Sequence, residues 1–151
     1  MNMADHQNTI SALNDLLQKN VDARHGYHKA GEDINHASLE TYLEQKSAQR
    51  QRFTNELESE IVSLGGEPKR ETSVKGSLHH AWIDLKSSLS SNNEEAVFEE
   101  CIRGEKHSLK DYDSKLEKES FPPSTKSLLT AQRNQVEADL KKAQTLEELS
   151  D

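Results

Sequence analysis

A chain of 151 residues of which only 32% are hydrophobic, with a net charge of −8, is long enough for one domain with a sizeable core and too acidic to follow a nucleic-acid duplex or an anionic membrane. Its single cysteine, Cys101, excludes an internal disulfide and a multi-cysteine zinc site. No apolar run reaches membrane-spanning length and no basic stretch leads into an apolar one, so the sequence predicts a soluble cytoplasmic protein with neither nucleic acid nor membrane as partner.

The mean hydropathy of −0.94 would fit a disordered chain if the apolar residues were scattered. They recur instead at helical spacing, with little of the alternation that marks strands, and the fold class read from this is all-α. Residues 1–8 read as a frayed N-terminus and residues 9–149 as one domain. Helix A is predicted over 9–34, with Ile10, Leu13, Leu17, Val21, Arg24, His28 and Ile34 on one face and Asn8 or Thr9 as cap. Helix B follows over 37–64, its seam formed by Leu39, Leu43, Lys46, Arg50, Phe53, Leu57, Ile61 and Leu64, and Gly65-Gly66 with Pro68 stops it.

A shorter amphipathic helix is predicted over 73–90, anchored by Trp82 and ending in a serine and asparagine turn whose Asn92 caps the next helix. Helix C, 93–119, carries Phe98, Ile102, Glu105, Leu109, Tyr112 and Leu116 on its seam. Pro122-Pro123 separates it from helix D, 123–149, with Leu129, Arg133, Val136, Leu140 and Ala143 facing inward.

Glu105 stands at a core position of helix C. A buried carboxylate must be neutralised, paired or ligated to metal, because an isolated one costs several kcal/mol or more, on the order of its lost hydration. Three readings are open. In the preferred one Arg50 or Arg133 holds Glu105 in a buried polar network; in the second Glu105 turns outward into solvent; in the third it ligates a metal.

Helices B and D share Ser47-Ala48-Gln49-Arg50 against Thr130-Ala131-Gln132-Arg133, and helices A and C share Asn20-x-x-Ala23-x-x-x-Tyr27 against Glu105-x-x-Ser108-x-x-x-Tyr112. The offsets, 83 residues (Thr130 against Ser47) and 85 (Glu105 against Asn20), nearly agree, which points to a duplicated helical hairpin.

Two antiparallel hairpins with a helix in the connection between them resemble the ferritin-like four-helix bundle. At closer range the chain resembles a bacterial family of uncharacterised ferritin-like bundle proteins, a domain of unknown function. The resemblance rests on Leu13-Asn14-Asp15-Leu16, Arg50-Gln51-Arg52-Phe53, Leu64-Gly65-Gly66-Glu67-Pro68, Trp82 with Leu85-Lys86, and Cys101-x-Arg103-Gly104-Glu105. It implies an antiparallel four-helix bundle with an additional short helix in the crossover between helices B and C. It also implies where metal ligands would stand: Asn20 and Glu105 at the glutamate positions of helices A and C, and Gln49-x-x-Arg52 and Gln132-x-x-Gln135 at the Glu-x-x-His positions of B and D. One carboxylate of the expected four is present.

The functional expectation is therefore a non-catalytic bundle with a degenerate metal centre and no cofactor, its core network built from Glu105, Arg50, Arg133, Asn20, Gln49 and Gln132, acting through its surface on an unidentified protein partner as an interaction or stress-associated protein. The alternative is a metal-binding ferritin-like protein, a di-iron oxidase or iron store, with iron or another divalent metal on Glu105, Glu56, His28 or other groups. His25 with His28, three apart on helix A, lack a third zinc ligand; His79 and His80 are adjacent and diverge; His107 points away from Glu105. Cys101 reads as a small packing residue. The long seams also allow a homodimer through the crossover helix.

Overall fold

A computed structural model describes residues 3–70 and 94–150. Among these residues there are four helices, α1 (Met3–Asp33), α2 (Ala37–Ser63), α3 (Glu94–Lys118) and α4 (Pro123–Leu149), and no strand. The helix predicted over 73–90, with His79, His80 and Trp82, and the cap at Asn92 lie outside the described residues. Helix α1 begins at Met3, six residues before the predicted start, so Asn8 and Thr9 lie inside it rather than at its cap, and Thr9 is buried.

The turns follow from local chemistry. His36 caps α2 by accepting a hydrogen bond from the Leu39 amide at 3.3 Å. At its other end Gly65 takes a left-handed φ of 84°, the Gly65 amide donates to the Val62 carbonyl and the Gly66 amide to the Ile61 carbonyl, a Schellman termination. Gly66 also abuts Ile10: a Cβ there would stand 2.8 Å from the isoleucine side chain. Asn14 fixes the following segment to α1, donating to the Glu67 carbonyl and accepting from the Lys69 amide. Pro123 opens α4 at a position that needs no amide donor.

Cross-helix pairs give the directions. Ser47 of α2 donates to the Arg24 carbonyl of α1, and Arg133 of α4 pairs with Asp113 of α3, so each hairpin is antiparallel. Lys19 meets Asp111 while Tyr27 meets Glu105, so α1 and α3 are antiparallel; Lys46 meets Asp139 while Thr125 meets Glu60, so α2 and α4 are too. Helices α2 and α3 consequently run the same way.

Buried apolar residues form two clusters. Leu13, Leu16, Leu17, Val21, Phe53, Leu57, Ile61, Tyr112, Leu129 and Val136 pack at one end, and Ala23, Tyr27, Ala30, Ile34, Leu39, Leu43, Val97, Phe98 and Cys101 at the other. The buried face of α1 runs through Leu13, Leu16, Asn20, Ala23, Tyr27 and Ala30 and continues to Ile34 just past its end, alternating steps of three and four. This is a period of about 3.5, which keeps a seam on its partner as two helices coil around each other. A straight 3.6 period drifts off that seam, which is why the sequence reading reaches Arg24 and His28, both outside the core, where the structure has Ala23 and Tyr27.

Candidate functional site

Between the two apolar clusters all four helices contribute to a polar layer centred on Glu105, which is fully buried. Tyr27 of α1 donates to Glu105 Oε1 at 2.8 Å. Arg50 of α2, 2% exposed, donates through Nη2 to both carboxylate oxygens at 3.0 Å. Lys46, one turn earlier on α2, places Nζ 2.8 Å from Glu105 Oε1 and donates to Asp139 Oδ2 of α4 at 2.9 Å. Gln49 donates to the same Asp139 oxygen.

The layer continues on the other side of Arg50. Its Nη1 donates to Asn20 Oδ1 at 3.2 Å, and Asn20 Nδ2 donates to the Leu16 carbonyl and to Tyr112 Oη. Tyr112 donates to Gln132 Oε1 at 2.6 Å, and Gln132 Nε2 donates to Glu56 Oε1 at 3.0 Å and to the Phe53 carbonyl. Among the described residues, three buried side-chain polar atoms lack a protein partner: Arg50 Nε, Tyr42 Oη and Gln49 Oε1. Such groups each cost about 1–3 kcal/mol when unsatisfied.

The charges balance: Glu105 and Asp139 against Lys46 and Arg50. Burial pushes the Glu105 carboxyl upward, but Arg50, then Lys46 and the Tyr27 hydroxyl, outweigh it and hold the group below the ordinary glutamate value. Arg50, which burial alone would weaken as a base, is held protonated by Glu105. Burial and then Glu105 raise Tyr27 well above the usual phenol range; burial likewise raises Tyr112 and Tyr42. Cys101 is pushed up to about 12 by burial and by Glu105, so it is a thiol and not a nucleophile at neutral pH. Chemically the layer offers a carboxylate fixed in its ionised form, which is suited to holding helices and not to shuttling a proton.

Of the sequence-predicted network, Glu105, Arg50, Asn20, Gln49 and Gln132 fall in this layer. Arg133 does not. It lies on the surface, paired with Asp113 at 2.7 Å and Glu137 at 2.9 Å; the inward residue of that turn is Gln132, and Arg133 is rotated past the seam by one residue. His28 is half exposed and bridges Glu32 and Glu44 at 2.9 and 3.1 Å, correcting its place on the apolar face. Glu56 reaches the layer only through Gln132. His25 sits beside Arg24 and His107 is exposed. Sequence reasoning missed Tyr27, Lys46, Tyr112 and Asp139 as site residues, although Lys46 and Tyr112 stood on predicted seams and Tyr27 and Tyr112 in the shared A/C stretch.

A pair of iron ions, implied by the ferritin-like resemblance, does not fit these residues. A dinuclear centre draws carboxylate and imidazole ligands from all four helices. Here both Glu105 oxygens accept from Arg50, and Lys46 adds a second cation at 2.8 Å; the two fixed positive charges occupy the carboxylate and repel a metal ion.

The contacts are reciprocal. Asn20 bonds Tyr112 while its counterpart by the shared stretch, Glu105, bonds Tyr27. Gln49 bonds Asp139 while Gln132 bonds Glu56, and Arg52 bonds Gln135 directly, each pair related by the same 83-residue shift. Lys46 and Arg50 break the pattern, their counterparts being Leu129 in the core and Arg133 on the surface.

The family described as a domain of unknown function, DUF2383, matches residues 8–118, α1 through α3. The chain belongs to this family. No curated protein matches it. The DUF2383 match thus takes in Asn20, Tyr27, Lys46, Arg50, Glu105 and Tyr112 and stops before the α4 residues Gln132 and Asp139. No described helix is long and apolar enough to cross a membrane.

Proposed function

We propose that this DUF2383 protein is a bacterial ferritin-like bundle in which side-chain cations have replaced the metal centre, and that it acts through its surface as an interaction or stress-associated protein rather than as an oxidase or iron store. The observation that carries this is the pair of cations on the fully buried carboxylate of Glu105, Lys46 at 2.8 Å and Arg50 at 3.0 Å. The ferritin-like part is supported by the helix directions, with two antiparallel hairpins and parallel second and third helices, and by the reciprocal contacts, which a duplicated hairpin would leave behind. The reading includes cytoplasmic location and a homodimer through the 73–90 segment, which a monomeric mass at micromolar concentration would remove.

The test is metal content and iron chemistry together. Protein purified without chelator from medium containing iron, manganese and zinc is expected to carry no stoichiometric metal, and aerobic addition of ferrous iron is expected to produce visible absorbance no faster than buffer does. About one or two equivalents of metal per chain, lost in Glu105→Gln, would replace this reading with the metal-binding one.

A further inference from the structure

Beside the polar layer, between α2 and α4, a pocket of about 110 Å³ is lined by Tyr42, Gln45, Lys46, Gln49, Asp139 and Lys142. A water needs only about 10–15 Å³ on this measure, so the space holds several waters or one organic molecule of a few heavy atoms. Two of the buried atoms that lack a protein partner, Tyr42 Oη and Gln49 Oε1, belong to its lining. The Tyr42 hydroxyl can donate and accept, whereas Gln49 Oε1 is a carbonyl oxygen and only accepts, the amide nitrogen of that side chain donating to Asp139.

The charges on the walls narrow the ligand. Lys46 and Lys142 disfavour a cation. An anion would meet Asp139 and the lone pairs of Gln49 Oε1, while the Lys46 charge is already shared between Glu105 and Asp139. A neutral molecule that both donates and accepts hydrogen bonds meets no like charge and satisfies both atoms. We propose that this pocket is a binding site for a small uncharged amide or hydroxyl compound, held by the Tyr42 hydroxyl and the Gln49 carbonyl, with the Lys46 ammonium at its side.

The chemistry of the site is one-sided. A hollow also opens at the place related by the 83-residue shift, where Leu128, Glu56 and Ser59 stand for Gln45, Asp139 and Lys142, but Leu129 replaces Lys46 and is packed in the core, and Gln132 is bonded to Tyr112 and Glu56. The lysine-lined pocket therefore belongs to the Lys46 face, and the ligand would touch the same lysine that holds Glu105. It requires no metal, so its failure and that of the preceding reading are separate results.

Acetamide is the probe, titrated into the full-length protein and followed by amide proton–nitrogen NMR, with acetate and methylammonium as charged probes of similar size. The expected result is saturable shifts confined to residues around Tyr42, Lys46, Gln49 and Asp139, in the millimolar range proper to so small a ligand. Binding is expected to be at least tenfold weaker for either charged probe and for Tyr42→Phe, which keeps the ring that packs edge-on against Phe98. Gln49→Leu, its helicity checked by circular dichroism, is expected to weaken it similarly. Absence of saturable shifts, equal binding of a charged probe, or undiminished binding in both folded variants would each overturn the proposal.

Discussion

The two ends of the bundle and the layer between them are stabilised in opposite ways. Around Leu57 and Phe53 the four helices bury apolar side chains, and stability there accumulates with area removed from water and with close packing. Around Glu105 the bundle buries three charges, Glu105, Arg50 and Lys46, with Asp139 partly exposed at the edge, and their mutual attraction offsets a desolvation cost of several kcal/mol per buried ion, on the order that buried ion pairs show. The first kind of core tolerates many sequences. The second is satisfied by one register only, since a helix rotated by a single residue, as Arg133 shows beside Gln132, takes its charge out of the layer.

The sharpest way to break the comparison is to remove one charge. Glu105→Gln leaves Arg50 without its carboxylate and is expected to cost about 3–5 kcal/mol in a denaturant titration. Leu57→Ala in the apolar end is expected to cost about 2–5 kcal/mol through the cavity it leaves. The two differ in their dependence on acid. Glu105 is held below its unfolded value of 4.5, so its contribution is complete above that pH and is lost as the pH falls through the folded value. The gap between wild type and Glu105→Gln is therefore expected to close in acid, whereas the Leu57→Ala gap should not change; a Glu105→Gln gap independent of pH would contradict ionic pairing.

At alkaline pH the sign reverses. All three tyrosines, Tyr27, Tyr42 and Tyr112, are raised above 10.0 by burial. Their contribution is whole below pH 10.0 and declines as the pH rises beyond it, because only the unfolded chain then ionises. Tyrosinate absorbance is expected to rise together with loss of helical circular dichroism. Ionisation near pH 10.0 in a fully helical protein would place these phenols in water.

The smallest effect belongs to Arg133. Its pairs with Asp113 and Glu137 face solvent, so Arg133→Ala is expected to cost no more than about 1 kcal/mol, and less in high salt. A loss comparable to that of an Arg50 variant would put Arg133 back in the network.

How far the sequence disclosed this layer depends on the helix. On α2 every predicted seam position from Leu39 to Ile61 is buried, Lys46 and Arg50 included, because steps of three and four there fit a 3.5 or a 3.6 period equally. On α1 the two periods separate over six turns, and a choice of 3.6 exchanges Tyr27 for His28. On α4 the apolar residues around positions 132 and 133 fix no phase, since a glutamine and an arginine stand side by side, and likeness to Arg50 pointed to the wrong one. Asp139 carries no local signal at all; only its place opposite Lys46 gives it a role.

The pairing of Glu105 with Arg50 is the centre of this account, and a double-mutant cycle measures it directly. Arg50→Met, Glu105→Leu and the double variant, compared by chemical denaturation in the presence of chelator, should show each single change costing about 3–5 kcal/mol and the double change costing clearly less than their sum, since no unpaired charge is left between the two positions while Lys46 keeps Asp139. Losses that simply add would mean the two residues do not hold each other.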